Sequence, residues 1–439
     1  MKGNGKMSRR EFVQAGAAAG TAAALGGRLA TGQEKSPAVR VGIVGVGSRG
    51  RGLIPTLLQL PGVEVRAVCD IVADSAAQAQ QMVEQLSRKR PEAYTKDETD
   101  FRRLVERDDL DAVITATPWE WHTPVAVATM HAGKYAGVEV PAGITVEECW
   151  QLVRTSEETR VPCMMLENVC YFRNALTILR MVREAVFGDM LHCEAGYQHD
   201  CRFLMFTEQG ELTWRGRHVA EKNGNLYPTH PVGPVAQWLN INRGDRFTVL
   251  SSMSTPSKGL KHYAARKLGQ DHALAKRDYA LGDVNTTLLK TANGLTVTLY
   301  FDLQTYRPYD LIFRVQGVKG IYLGTHDKVC IEGLTPEPEQ WEPFDPYMEK
   351  YAHPLWEDLK KEAEKSGGHG GADYITMYEF VKAVRNKTPT PQDVYDAATW
   401  SVIVPLSVES VAKGGQPVEF PDFTKGKWKG NPPLPVYGA

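Results

Sequence analysis

The chain has 439 residues with a formal net charge of -1, and 42% of its residues are hydrophobic; that length exceeds one ordinary core, so two domains are expected. Lysine and arginine are dispersed, which excludes a basic stripe for nucleic acid and a basic amphipathic helix for a membrane surface, and leaves a small, neutral ligand as the expected partner. Seven cysteines, odd in number and without a Cys-x-x-Cys pair, read mostly as small buried apolar residues of a protein folded in a reducing compartment.

At the N-terminus, Ser8-Arg9-Arg10-Glu11-Phe12-Val13 precedes an Ala- and Gly-rich run from Ala15 to Leu25, the order of a twin-arginine export signal. The run is too short and too weakly apolar to span a bilayer permanently, and no Cys follows it for a lipid anchor. Residues 1–34 are therefore expected to be a signal read by the twin-arginine export machinery. The mature start is expected between Ala30 and Ser36, in the periplasm or another extracytoplasmic compartment.

The apolar run Val39 to Val44 leads into Gly45-x-Gly47-x-x-Gly50, and Leu53 to Leu60 continues as helix, the strand-turn-helix context a dinucleotide fingerprint requires. Gly45 permits the tight turn, Gly47 lets backbone approach a pyrophosphate, and Gly50 lets helix and strand pack closely; Ser48 and Arg49 complete the binding turn. A second apolar run, Val63 to Cys69, ends at Asp70, placed to grip the ribose hydroxyls. A carboxylate there repels a 2'-phosphate and favours NAD over NADP, whereas Arg49 works against that preference. Twin-arginine export carries folded proteins, so NAD has to be loaded before export, and no nicotinamide pool recharges it outside. The chemistry is then expected to return the cofactor to its starting redox state in each turnover.

Alternation continues with helix Ala73 to Arg90, strand Ala112 to Ala116, helix Thr123 to His131 and a strand around Tyr135 to Val138. Thr145-x-x-Glu148 is a capping box that opens a helix to Thr159, and Cys163 to Leu166 is a further strand. The pattern predicts an α/β chain with a doubly wound parallel sheet over residues 35–168. Ligands lie beyond the carboxyl ends of such strands. This gives weight to Trp119-Glu120-Trp121-His122, to Glu139-Val140-Pro141 and to Glu167-Asn168.

From 169 to 439 the pattern predicts a substrate-binding α+β domain with a largely antiparallel open sheet. Met190 to His199, Leu295 to Phe301, Leu311 to Gln316 and Gly320 to Gly324 read as strands. A long polar stretch separates the first two, and helical patterns follow at Asp373 to Arg385 and Asp393 to Ala412. Tyr227-Pro228-Thr229-His230 is the catalytic candidate, because two proton-transfer groups three apart face one substrate if the segment begins a helix. His192, His199 and Cys201 fit no usual zinc spacing, and no metal is expected.

The strand ends resemble the glucose-fructose oxidoreductase and inositol dehydrogenase (Gfo/Idh/MocA) superfamily, with Glu139-Val140-Pro141 where its members have Glu-Lys-Pro. The missing lysine sets the chain apart from ordinary sugar dehydrogenases. Trp119-Glu120-Trp121-His122, Met164-Met165-Leu166-Glu167-Asn168, Gly224-Asn225-Leu226-Tyr227-Pro228-Thr229-His230 and Asn240-Ile241-Asn242-Arg243-Gly244-Asp245-Arg246-Phe247 resemble glycoside hydrolase family 109. Pro231 departs from the glycine common there.

The resemblance implies NAD-dependent hydrolysis of terminal α-N-acetylgalactosamine with a tightly bound, recycled cofactor. It implies His230 and Tyr227 as catalytic, with Tyr197, Arg215, Pro228, Thr229 and Tyr309 against the sugar. Trp119, Glu120, Trp121, His122, Glu139, Val140, Asn168, Arg215 and Tyr227 are implied at the cofactor. The implied cycle oxidises C3, eliminates across C1 and C2, adds water and reduces C3 again. Which of His230 and Tyr227 takes which proton stays open, as do the exact sugar and anomer. An exported sugar oxidoreductase with bound NAD is the alternative, and a non-catalytic protein retaining NAD is a third reading. Superfamily members commonly pair through open sheets, which allows a homo-oligomer, and the oligomeric state stays open.

Overall fold

Six short strands, β1 (Val39–Val44), β2 (Val63–Cys69), β3 (Glu92–Tyr94), β4 (Ala112–Thr115), β5 (Tyr135–Val138) and β6 (Cys163–Met165), form one parallel sheet in the order β3-β2-β1-β4-β5-β6. The computed structural model describes residues 38–436; the twin-arginine leader and its expected cleavage region up to Ser36 lie outside the described residues. Every residue of β4 and β6 is buried, as a sheet covered on both faces requires. The order reverses at β1 and β4, which opens a crevice above their carboxyl ends.

Local signals hold closely here. The helix Val146–Thr159 opens on a complete capping box, with Thr145 Oγ1 accepting from the Glu148 N–H at 3.1 Å and Glu148 accepting from the Thr145 N–H at 2.9 Å. Two elements are additional, β3 and the helix Phe101–Val105. They span three and five residues, too few for a period to show.

The second sheet holds nine strands: β7 (Met190–Gln198), β8 (Phe247–Ser254), β9 (Asn285–Thr291), β10 (Thr296–Asp302), β11 (Arg314–Gly317), β12 (Gly320–Leu323), β13 (Lys328–Ile331), β14 (Glu342–Pro343) and β15 (Val418–Glu419). Their order is β14-β13-β12-β11-β7-β10-β9-β8-β15, antiparallel except for the β7–β10 pair. The polar stretch expected between the first two strands in fact contains β8 and β9. Several inward positions there carry polar side chains that bond one another, Ser252 Oγ with Thr287 Oγ1 at 2.9 Å and Asn285 Nδ2 to Ser252 Oγ at 2.9 Å. Satisfied hydroxyls replace the apolar alternation that marks a strand. The single helix expected from Asp393 to Ala412 divides at Val402 into Val394–Ser401 and Ile403–Ala412. Pro405 has no N–H to offer the Ser401 carbonyl.

The chain then returns to the first sheet. A Cβ on Gly137 of β5 would lie 3.0 Å from Phe380 on the helix Ala372–Asn386, so the glycine lets that helix sit directly on the strand. The crevice is thus walled by loops of the first sheet, by β7 and its neighbours, and by the start of this late helix.

Candidate active site

The Gly-rich turn is built by contacts that only glycine permits. Gly45 has φ +82° and a Cβ there would lie 2.6 Å from the Thr117 nitrogen; one on Gly50 would lie 1.9 Å from the Gly45 carbonyl oxygen. Gly47, by contrast, faces open space. The helix Ser48–Gln59 that follows has neither a side-chain cap nor an acidic residue in its first turn, so its N–H groups remain for an anion. Asp70 closes the other side, accepting from the Val46 and Val72 N–H groups at 2.9 Å each. Thr117 Oγ1, Trp119 Nε1 and Asn168 Oδ1 are buried at the strand ends without a protein partner, and buried polar atoms of this kind ordinarily find one. Cradle and unpaired atoms fit a dinucleotide. Gly47→Ala is expected to leave apo stability unchanged and to weaken NAD binding, whereas Gly50→Ala disrupts the turn itself. Thermal melts with and without NAD check both, and a Gly47→Ala protein with unaltered NAD affinity would contradict this reading.

Arg49 points elsewhere than its place in the turn suggested. It donates to Glu139 at 2.7 Å and forks onto Asp373 with two bonds of 2.9 Å, so three of its donors face carboxylates rather than a ribose phosphate. Burial opposes the guanidinium charge, but Glu139 and Asp373 outweigh it and hold the Arg49 pKa well above its ordinary value. Asp373 also accepts from Asn168 Nδ2 at 2.7 Å and bonds His369 Nδ1 at 2.9 Å. Burial pushes its pKa up, yet Arg49 and His369 bring it well below the carboxylate range. This cluster joins the first sheet's loops to the late helix.

The side chains of Trp119-Glu120-Trp121-His122 take different directions. Trp119 is buried, stacked on Tyr227 at 5.7 Å, with Trp214 and His218 at 5.2 and 5.1 Å. Glu120 holds His218 at 3.2 Å. Trp121 turns away and meets Phe101 edge-on at 6.1 Å, packing on the first domain's minor core. His122 is fully buried, its ring nitrogens 2.7 and 2.9 Å from the Pro141 and Thr117 carbonyls. Burial lowers its pKa, so the neutral ring donates to one of these carbonyls and lies against the other, between two strand-end loops. Val140 is buried, and its bond to Pro141 is cis.

Across the crevice, the helix Thr229–Trp238 starts one residue after Pro228 and sets the Tyr227 and His230 rings 4.9 Å apart. Tyr197 on β7 lies 5.0 Å from Tyr227 and 5.1 Å from His230, and Tyr309 lies 6.0 Å from Tyr197. Arg215 lies over Trp214, Trp119 and Tyr227 at 4.4, 5.2 and 5.7 Å, so its cation is spread across an aromatic floor. Thr229 Oγ1 is buried without a protein partner. Pro231 occupies the helix's first turn, where a missing N–H costs no helical bond. Burial raises the phenol pKa values of Tyr197, Tyr227 and Tyr309, so all three are neutral at neutral pH.

Three further groups complete the site. Glu167, at the end of β6, meets His230 Nδ1 at 2.6 Å. His199 bonds the Tyr197 hydroxyl at 3.3 Å. His369, 43% exposed in its side chain, stands at φ +46° amid Gly367, Gly368, Gly370 and Gly371. A histidine framed by four glycines, with its carboxylate partner Asp373 four residues on, is a signal visible in the sequence. Among the described residues no three His, Cys, Asp or Glu side chains gather as a metal site.

Residues 171–430 match the family model for the C-terminal domain of glycosyl hydrolase 109, and residues 39–167 match that of the GFO_IDH_MocA oxidoreductase family, NAD-binding Rossmann fold. The chain belongs to glycosyl hydrolase family 109. Within family 109 it is 45% identical over 421 residues to a Tannerella forsythia protein named alpha-N-acetylgalactosaminidase, with 90% of each chain covered. It is 44% identical over 409 residues to a glycosyl hydrolase family 109 protein of Shewanella sp. strain W3-18-1, covering 92% of this chain and 89% of that one. A levoglucosan dehydrogenase in complex with NADH superposes with a TM-score of 0.66 at 20% identity, covering 88% and 99% of the two chains. Apo scyllo-inositol dehydrogenase from Lactobacillus casei does so at 0.62 and 13%, with the same coverage. At those identities the likeness concerns the fold.

Proposed function

We propose that this protein is an exo-acting glycosidase that releases terminal α-linked N-acetylgalactosamine through oxidation, elimination, addition and reduction, with no net redox change. The observation that carries the reading is the pairing of Tyr227 and His230, rings 4.9 Å apart, beside an open dinucleotide cradle in a member of family 109. The Tannerella forsythia relative's name supports the choice of sugar.

NAD, which the Gly45–Gly50 turn and Asp70 would hold, would supply a hydride acceptor and donor for C3 of the sugar. The protein's own groups manage protons. The O3 and C2 protons leave through the Tyr227–His230 pair, the second of them acidified by the neighbouring 3-ketone. In its imidazolium form His369, at the rim with Nδ1 held by Asp373, gives the Nε2 proton to the departing C1 oxygen. Water then adds at C1 as a proton returns to C2. Val140, where a lysine would serve a dehydrogenase, leaves the proton work to the opposite wall.

Tight cofactor binding and recycling follow from the expected export route, since the leader Ser8 to Val13 supports an extracytoplasmic site of action. Purified protein without added NAD is expected to release the aryl group from an aryl α-N-acetylgalactosaminide. Turnover in deuterium oxide is expected to place deuterium at C2 of the released sugar. Silence on the aryl substrate, with a lactone or ketosugar formed from free sugars instead, would favour the oxidoreductase alternative.

A further inference from the structure

Resting on that reading, we infer that Glu167 is the positioning residue that makes His230, rather than Tyr227, the base of the site. Glu167 is 0% exposed. Its Oε1 accepts the Val169 N–H at 3.0 Å and lies 2.6 Å from His230 Nδ1. An oxygen already accepting a backbone N–H faces the imidazole as an acceptor, so Nδ1 carries the ring proton and Nε2 presents its lone pair. The Tyr197 and Tyr227 rings pack edge-on to that imidazole and keep it on the cleft side of the carboxylate.

The second wall is shaped for this contact. A Cβ on Gly233, one turn along the helix from His230, would come within 3.0 Å of Glu167 Cγ and 2.9 Å of Cys170 Sγ, so the glycine leaves the room the carboxylate occupies. Tyr227 has no such partner: its ring neighbours are Trp119, Tyr197, His230 and the Arg215 cation. Burial, with Glu139 and Glu167 acting through space, keeps the proton on this phenol, and neither carboxylate is hydrogen-bonded to it, so it serves as a hydrogen-bond donor. When His230 takes a proton from the sugar, the imidazolium forms against an anion already in place, which lowers the barrier to transfer without reorganisation.

The test uses full-length, NAD-loaded protein with Glu167→Gln and Gly233→Ala. In Glu167→Gln the Val169 N–H retains the oxygen and the charge is lost. We expect kcat to fall about 100-fold with KM within about threefold, NAD content and melting temperature near wild type, and a larger primary isotope effect from substrate deuterated at C2. Gly233→Ala is expected to lower kcat in the same manner. Nitrogen-15 spectra of histidine-labelled wild-type protein should show His230 protonated at Nδ1. An Nε2-protonated His230, or a Glu167→Gln enzyme within threefold of wild-type kcat, would overturn the assignment. A melting temperature that falls while kcat per folded molecule holds would also overturn it, leaving Glu167 a fold residue. A wild-type enzyme silent on the aryl glycoside defeats the functional reading instead, and the nitrogen spectra then still decide the dyad.

Discussion

His230→Asn is expected to lower turnover of an aryl α-N-acetylgalactosaminide by about 10²–10⁴-fold, the range removed with a general base, while leaving the melting temperature close to wild type. Asparagine is chosen over alanine for a physical reason. Its amide nitrogen falls near the place of Nδ1 and continues to donate to Glu167, a fully buried carboxylate. Alanine would strand that carboxylate and mix a folding defect into the result. Tyr227→Phe keeps the ring stacked on Trp119 at 5.7 Å and removes only the hydroxyl, so it serves as the companion measurement. A His230→Asn enzyme within tenfold of wild type would remove the imidazole from the chemistry.

The second large effect concerns stability. Arg49→Met is expected to cost about 3–5 kcal/mol, the usual penalty for stripping the partner from buried charge, because Glu139 and Asp373 are 7% and 4% exposed and lose three bonds. Urea denaturation of the NAD-free protein measures it, and Arg49→Lys should rescue little, since a lysine cannot fork onto Asp373. The pH dependence has a defined sign. The folded-state pKa of Asp373 is depressed, so its contribution is full above the ordinary carboxylate value and is lost as pH falls through the folded value. The gap between wild type and Arg49→Met should therefore be complete at neutral pH and narrow below about pH 4. A gap that does not change with pH would mean that Arg49 acts through packing alone.

Legibility in the sequence followed the range of the interactions. The Gly45–Gly50 turn, the Thr145–Glu148 box and the strands flanking them are made by residues within one or two turns of each other, and boundaries shifted there by a residue or two. Tyr227 and His230 share a helix start, so their proximity was also local. The rings of His122 and Trp121 share that locality, yet chain position left open which side of a strand end each would take.

Composition, the Gly-rich turn, the capping box and the Tyr227-to-His230 spacing were enough to set an α/β chain, a dinucleotide cradle and a pair of proton-transfer groups. Folding supplied the partners. Glu167 lies 63 residues from His230, and Asp373 lies 324 from Arg49 and 205 from Asn168. No periodicity or motif spacing connects such positions, since these groups become buried partners only when the helix Thr229–Trp238 and the late helix close on the first sheet and remove water from between them. Ordinary polar residues of the chain thereby became an ion cluster and a fixed imidazole.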